Sequence, residues 1–158
     1  MTKVFKKKYT NIGILGGSFD PPHKGHFHIS KIALRKIKLD KLIWAVTKKN
    51  PHKKKPFLTT KTRIKLSKKL TKNEKKISVK YFDDKVKSRK TLSLLKYIHK
   101  KNKNKKIYFL MGADNFVKLH KWDNWKKIPK IAKIVVFARQ NYYIKVFNSI
   151  AAKKLKKN

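Results

Sequence analysis

Two histidines three positions apart, His23 and His26, close an eleven-residue string, Gly16-Gly17-Ser18-Phe19-Asp20-Pro21-Pro22-His23-Lys24-Gly25-His26. An imidazole can donate to phosphoryl oxygens and balance negative charge that grows in a transition state. Glycine has no Cβ, so Gly16 and Gly17 let the backbone come close to a phosphate. A helix beginning near the histidines would add unpaired N–H groups and a partial positive charge, and both rings could then face one anion. Asp114, one of only seven acidic residues in the chain, could accept hydrogen bonds from hydroxyl groups. Trp122 offers a π-surface to a flat aromatic ring, and Lys53 carries a charge that could neutralise a phosphate. Cysteine is absent, which excludes thiolate nucleophiles, thiolate metal sites and disulfides. No activated serine or carboxylate pair suited to nucleophilic catalysis is evident.

These groups need elements to hold them. Short apolar runs alternate with amphipathic stretches, the pattern of a parallel sheet with crossover helices. Strands are expected at 11–15, 42–46, 77–82, 107–111 and 134–137. A helix opening near His26 carries Ile29, Ile32, Ala33 and Ile37 on one face. Thr59 or Thr60 caps a helix with Ile64, Leu66 and Leu70, and another holds Leu92, Leu95 and Ile98. A helical stretch is expected to contain Phe116, Leu119, Trp122 and Trp125, and residues 143–157 read as one amphipathic helix. Asp114 then lies just past a strand's carboxyl end, where open α/β sheets bind ligands. Thr91 stands where a helix starts. His28 and His99 read as incidental helix positions, His52 and His120 as loop or solvent residues.

The chain has 158 residues, enough for one domain with its own core. Its net charge of +39 attracts polyanions. Arginine, the side chain suited to bidentate phosphate and guanine contacts, occurs only at Arg35, Arg63, Arg89 and Arg139. The lysines are spread through every segment instead of forming one stripe, which argues against a specific nucleic-acid surface. No run approaches the roughly 20 apolar residues of a membrane span, and no signal-like apolar run follows Met1. The expectation is a soluble cytoplasmic protein without membrane partners. The sequence does not fix an oligomeric state.

The eleven-residue string resembles the nucleotidyltransferase signature, in which a G-x-F-D-P loop leads into H-x-G-H. The resemblance implies a doubly wound, Rossmann-like α/β fold with a mainly parallel sheet of about five strands. It also implies a nucleotide joined to a phosphorylated acceptor with release of pyrophosphate. The doubled glycine and Phe19-Asp20-Pro21 with His23 favour the nicotinate mononucleotide adenylyltransferase branch. Asn50-Pro51-His52-Lys53, Ser88-Arg89-Lys90-Thr91-Leu92, Met111-Gly112-Ala113-Asp114-Asn115 and Leu119-His120-Lys121-Trp122 are similar to further segments of that branch, in the same order. By this resemblance His23 and His26 contact the ATP phosphates and stabilise the transition state. Gly16, Gly17, Ser18, Phe19, Asp114 and Arg139 join them around ATP. Asn50, Lys53, Ser88, Thr91 and Trp122 hold the acceptor. The implied reaction is in-line attack of the acceptor phosphate on the α-phosphorus of ATP, with Mg²⁺ carried on the triphosphate and no dedicated metal site.

One feature departs from the family. Its serine-threonine motif I-S-S-T-x-x-R, at a helix start near the C-terminus, has no good counterpart before Asn158; Ser149-Ile150-Ala151-Ala152-Lys153 is a poor substitute. Residues 1–158 are expected to form a single nucleotidyltransferase domain lacking that segment. Three other readings stay open. They are a transferase of the same fold acting on nicotinamide mononucleotide or phosphopantetheine, a basic nucleic-acid-binding protein, and an inactive remnant that still binds nucleotide.

Overall fold

Five apolar runs become strands because each is bounded by turn residues and carries side chains that both faces of a sheet can bury. They are β1 Asn11–Gly17, β2 Lys41–Val46, β3 Ile77–Tyr81, β4 Lys106–Gly112 and β5 Lys133–Phe137. The computed structural model describes residues 10–49 and 55–156. All four strand pairings are parallel and the order is β3-β2-β1-β4-β5. The chain thus builds outward from β1 to β3, crosses back, and builds outward again through β4 and β5. The reversal lies between β1 and β4, the switch point at which such sheets leave a crevice beyond their strand ends. Gly16 and Gly17 end β1, and Gly112 ends β4, at this crevice.

The helices cover both faces. Helices α1 (Lys24–Lys36) and α2 (Thr60–Thr71) lie on one side, and α4 (Thr91–Lys101), α5 (Ala113–Val117) and α7 (Ile150–Leu155) on the other. Strand side chains alternate accordingly. Leu42, Trp44, Val46 and Leu110 face Ala33 and Leu34 of α1, whereas Ala45, Ile107, Phe109 and Met111 face Leu92, Leu95 and Ile98 of α4. Each fully buried Leu, Ile or Phe contributes roughly 1.5–3 kcal/mol. The doubly wound α/β architecture is the one expected.

Several local expectations are corrected. On α2 the buried residues are Arg63, Ser67 and Thr71, and Leu66 is 36% exposed. A polar stripe at i, i+4 and i+8 faces inward, because Arg63 has buried partners that the apolar pattern did not predict. A short helix, α3 (Asp83–Val86), precedes α4. The stretch from Phe116 to Trp125 is not one helix but α5 followed by two 3-10 turns at Leu119–Lys121 and Trp125–Lys127. Asn124, with φ 52°, interrupts helical winding there. The tail is likewise two short helices, α6 (Tyr143–Phe147) and α7, because Ser149 caps the second through its hydroxyl. Among the described residues no helix is long and apolar enough to cross a membrane.

Candidate active site

The first helix begins at His23, whose backbone is extended and whose ring caps it. His23 Nδ1 accepts from the Gly25 N–H at 3.1 Å, and His26 Nδ1 accepts from the His23 N–H at 3.2 Å. This is a capping box made from two imidazoles in place of the usual serine and glutamate. It has a chemical consequence. A ring nitrogen that accepts carries no proton, so both neutral rings hold their hydrogen on Nε2 and can donate from there. The ring centroids are 3.8 Å apart. Gly25 is required for this packing, because a Cβ there would stand 2.9 Å from the His23 ring.

Ser18 and Phe19 lead from β1 to this cap. The Phe19 ring is 2% exposed and packs beneath His26, so only its backbone can meet a ligand. Asp20 accepts from the backbone N–H groups of Phe57 and Leu58. Neither Gly16 nor Gly17 needs a positive φ, and an added Cβ would meet protein atoms only at 3.5 Å or more. Both line a cavity of about 310 Å³ at the switch point. Phe82, Leu94, Phe109 and Trp122 give that cavity apolar walls, with Trp122 edge-on to Phe109 at 6.3 Å. Ser88 and Thr91 add hydroxyls at the start of α4.

The cavity's charge is unequal. Of its carboxylates, Asp83 accepts from the Thr47 hydroxyl and the Lys48 N–H, both at 2.8 Å. Asp123 is paired with Lys90 at 3.0 Å, and this contact holds its carboxyl below the usual aspartate range. Arg89 and Lys121 also line the cavity, and no described residue forms an ion pair with either. The lining therefore favours an anionic guest. Among the described residues no group of three or more histidine, aspartate or glutamate side chains is placed to hold a metal ion.

A second cluster gathers beyond the ends of β4 and β5. Asp114 Oδ2 lies 3.4 Å from Arg139 Nη1, and Gly112 leaves room for the carboxylate, since a Cβ there would be 2.6 Å from Asp114 Oδ1. That Oδ1 is buried without a hydrogen-bond partner, and Asp114 does not cap α5. An orphan acceptor of this kind is filled by a donor from water or ligand.

The structure thus brings Gly16, Gly17, Ser88, Thr91 and Trp122 to one cavity, pairs His23 with His26 at the start of α1, and pairs Asp114 with Arg139. Asn50 and Lys53 lie outside the described residues. The sequence reading missed Arg63. Its guanidinium, 1% exposed, donates from Nε to Leu58 O at 3.1 Å, from Nη1 to Ser18 O and Thr47 O, and from Nη2 to Lys48 O and Thr60 Oγ1. All five of its N–H donors are used. Burial lowers its pKa while Asp20 and Asp83 pull the other way. Its only signal in the sequence is its rarity among lysines.

Residues 14–157 match the cytidylyltransferase-like family. The chain is 46% identical over 152 residues to a Pelagibacter ubique (strain HTCC1062) protein named "probable nicotinate-nucleotide adenylyltransferase", covering 96% of this chain and 84% of that one. A Ruegeria sp. (strain TM1040) protein of the same name is 36% identical over 142 residues, 90% of this chain and 75% of that one. In fold, the chain matches a Plasmodium falciparum nicotinic acid mononucleotide adenylyltransferase complexed with NaAD, with a TM-score of 0.69 at 19% identity over 94% of this chain and 83% of that one. With its histidine-capped helix beside a switch-point cavity, the chain belongs to the cytidylyltransferase-like family and, within it, to the nicotinate-nucleotide adenylyltransferases.

Proposed function

We infer that this chain transfers the adenylyl group of ATP to nicotinate mononucleotide, forming deamido-NAD and pyrophosphate, a step of NAD biosynthesis. Family membership supports the reaction class. The observation that carries the acceptor is the cavity itself, with aromatic walls at Phe109 and Trp122, hydroxyls at Ser88 and Thr91, and the cations Arg89 and Lys121. A flat pyridine ring bearing a carboxylate matches that lining.

In the reaction an acceptor phosphate oxygen attacks the α-phosphorus in line. One P–O bond forms, the bond to the β-phosphate bridging oxygen breaks, and the electron pair leaves with pyrophosphate. Charge grows on the phosphoryl oxygens as this happens. His23 and His26, each protonated on Nε2, donate to those oxygens without a proton having to move first. Gly16 and Gly17 permit close backbone approach, joined by Ser18 and the Phe19 backbone. Asp114 supplies its orphan Oδ1 to a ribose hydroxyl, and Arg139 holds the carboxylate and adds positive charge. Asn50 and Lys53 complete the acceptor side in this reading. Mg²⁺ enters as part of the MgATP substrate, held by phosphate oxygens. We read residues 1–158 as one nucleotidyltransferase domain and place the reaction in the cytoplasm.

The test is incubation of the purified chain with ATP and Mg²⁺ plus nicotinate mononucleotide, nicotinamide mononucleotide or 4′-phosphopantetheine, following pyrophosphate. Release is expected with the nicotinate compound above the others. Release with phosphopantetheine alone would overturn the assignment.

A further inference from the structure

Its hydrogen bond from the His23 N–H fixes one edge of the His26 imidazole. The tilt of the ring decides where Nε2 points, and two aromatic rings bear on that tilt from beneath. Trp44, the fourth residue of β2, is 0% exposed and lies nearly parallel to the Phe19 ring at 4.8 Å and 12°. Phe19 leans on His26 at 4.9 Å, and the indole itself meets His26 edge-on at 6.0 Å.

A polar path runs alongside. Trp44 Nε1 donates to Ser30 Oγ at 2.8 Å, and that hydroxyl donates to the His26 carbonyl at 2.7 Å. Phe19 holds φ at 50°, a left-handed conformation costly for an aromatic residue.

We propose that Trp44 is a positioning residue for adenylyl transfer, setting the tilt of the His26 ring through Phe19 and the height of the His26 backbone through Ser30 without touching substrate. The role rests on the reading of His26 given above. A ring displaced by about an ångström weakens a phosphoryl contact severely, so removing the indole lowers turnover by about 10- to 100-fold.

The experiment compares Trp44→Leu and Trp44→Phe in the wild-type and His26→Ala backgrounds, with kcat referred to the folded fraction and KM measured for both substrates. Trp44→Leu is expected to lower kcat by that factor while each KM moves less than about threefold. Trp44→Phe, which keeps a ring against Phe19 but loses the donor to Ser30, should give a kcat between those of Trp44→Leu and wild type. In the His26→Ala background Trp44→Leu should cost nothing further, because a residue acting through His26 has nothing left to position. A full kcat per folded molecule in Trp44→Leu, or the same fractional loss with and without His26, would overturn the proposal. Should Trp44→Leu not fold, Phe19→Leu, which removes the intervening ring, carries the same expectation and the same refutation. Wild-type protein inactive with every acceptor would instead refute the functional reading and take this role with it.

Discussion

Gly25 sits in the first turn of a helix, where alanine is ordinarily the better residue by about 1 kcal/mol. A methyl group there would press on the His23 ring from 2.9 Å. Gly25→Ala should therefore separate folding from chemistry: the thermal midpoint holds or rises while kcat drops by about 10- to 100-fold as the ring is displaced. Differential scanning fluorimetry beside a pyrophosphate assay would show it, and an unimpaired kcat would mean that His23 has slack. His26→Ala removes a donor outright and should cost about 10²- to 10³-fold in kcat. Trp122→Ala should act on the other substrate, raising the acceptor KM roughly tenfold, since stacking on one ring is worth about 1–3 kcal/mol. A KM change confined to ATP would contradict the placement of Trp122 on the acceptor wall. These residues were legible because glycine, histidine and tryptophan each state a local requirement through their own chemistry. The Asp114–Arg139 contact was not, because it exists only once β4 and β5 are neighbours.

Elements join the site through carbonyls, which a sequence does not display. Arg63 of α2 reaches the loop after β1 at Ser18 and the loop after β2 at Thr47 and Lys48. The sequence pattern found the helix and placed its cap at Thr59 or Thr60, of which Thr59 is the cap, but it named Leu66 as an inward residue, because an apolar count cannot foresee a buried guanidinium. The same blindness produced a single helix across Phe116 to Trp125 and another across the tail, where turn-forming Asn124 and the capping Ser149 break the chain. Arg63→Ala would leave four carbonyls without their donor and two carboxylates, Asp20 and Asp83, without the cation near them. A loss of about 3 kcal/mol or more is expected in urea unfolding. Arg63→Lys keeps the charge but offers at most three donors, so it should recover only part of that loss. Equal stability of Arg63→Lys and wild type would show that charge alone, and not the fork of five donors, ties the loops together.

Across the whole molecule a charge of +39 acts in two opposed ways. It attracts ATP and a phosphorylated acceptor, and it makes the folded surface repel itself. Lys41 shows the second effect locally, since burial and then the neighbouring Lys80 and Lys105 lower its pKa. A lysine with a lowered folded pKa costs stability at neutral pH. The cost is relieved as pH rises through the lowered value toward the ordinary lysine value, because the unfolded chain then binds more protons than the folded one. Salt weakens both effects over a Debye length that shrinks from about 30 Å at 0.01 M to about 8 Å at 0.15 M. Raising salt should therefore raise the thermal midpoint while also raising KM for ATP, with kcat little changed. Lys41→Met should raise the midpoint at low salt and do so less at high salt. Adhesion to nucleic acid should follow the substrate trend and fade by physiological salt, as expected of lysines spread through every segment. Stability and KM that both stay flat across that salt range would mean the lysine surface is neutralised by bound counterions and does neither job.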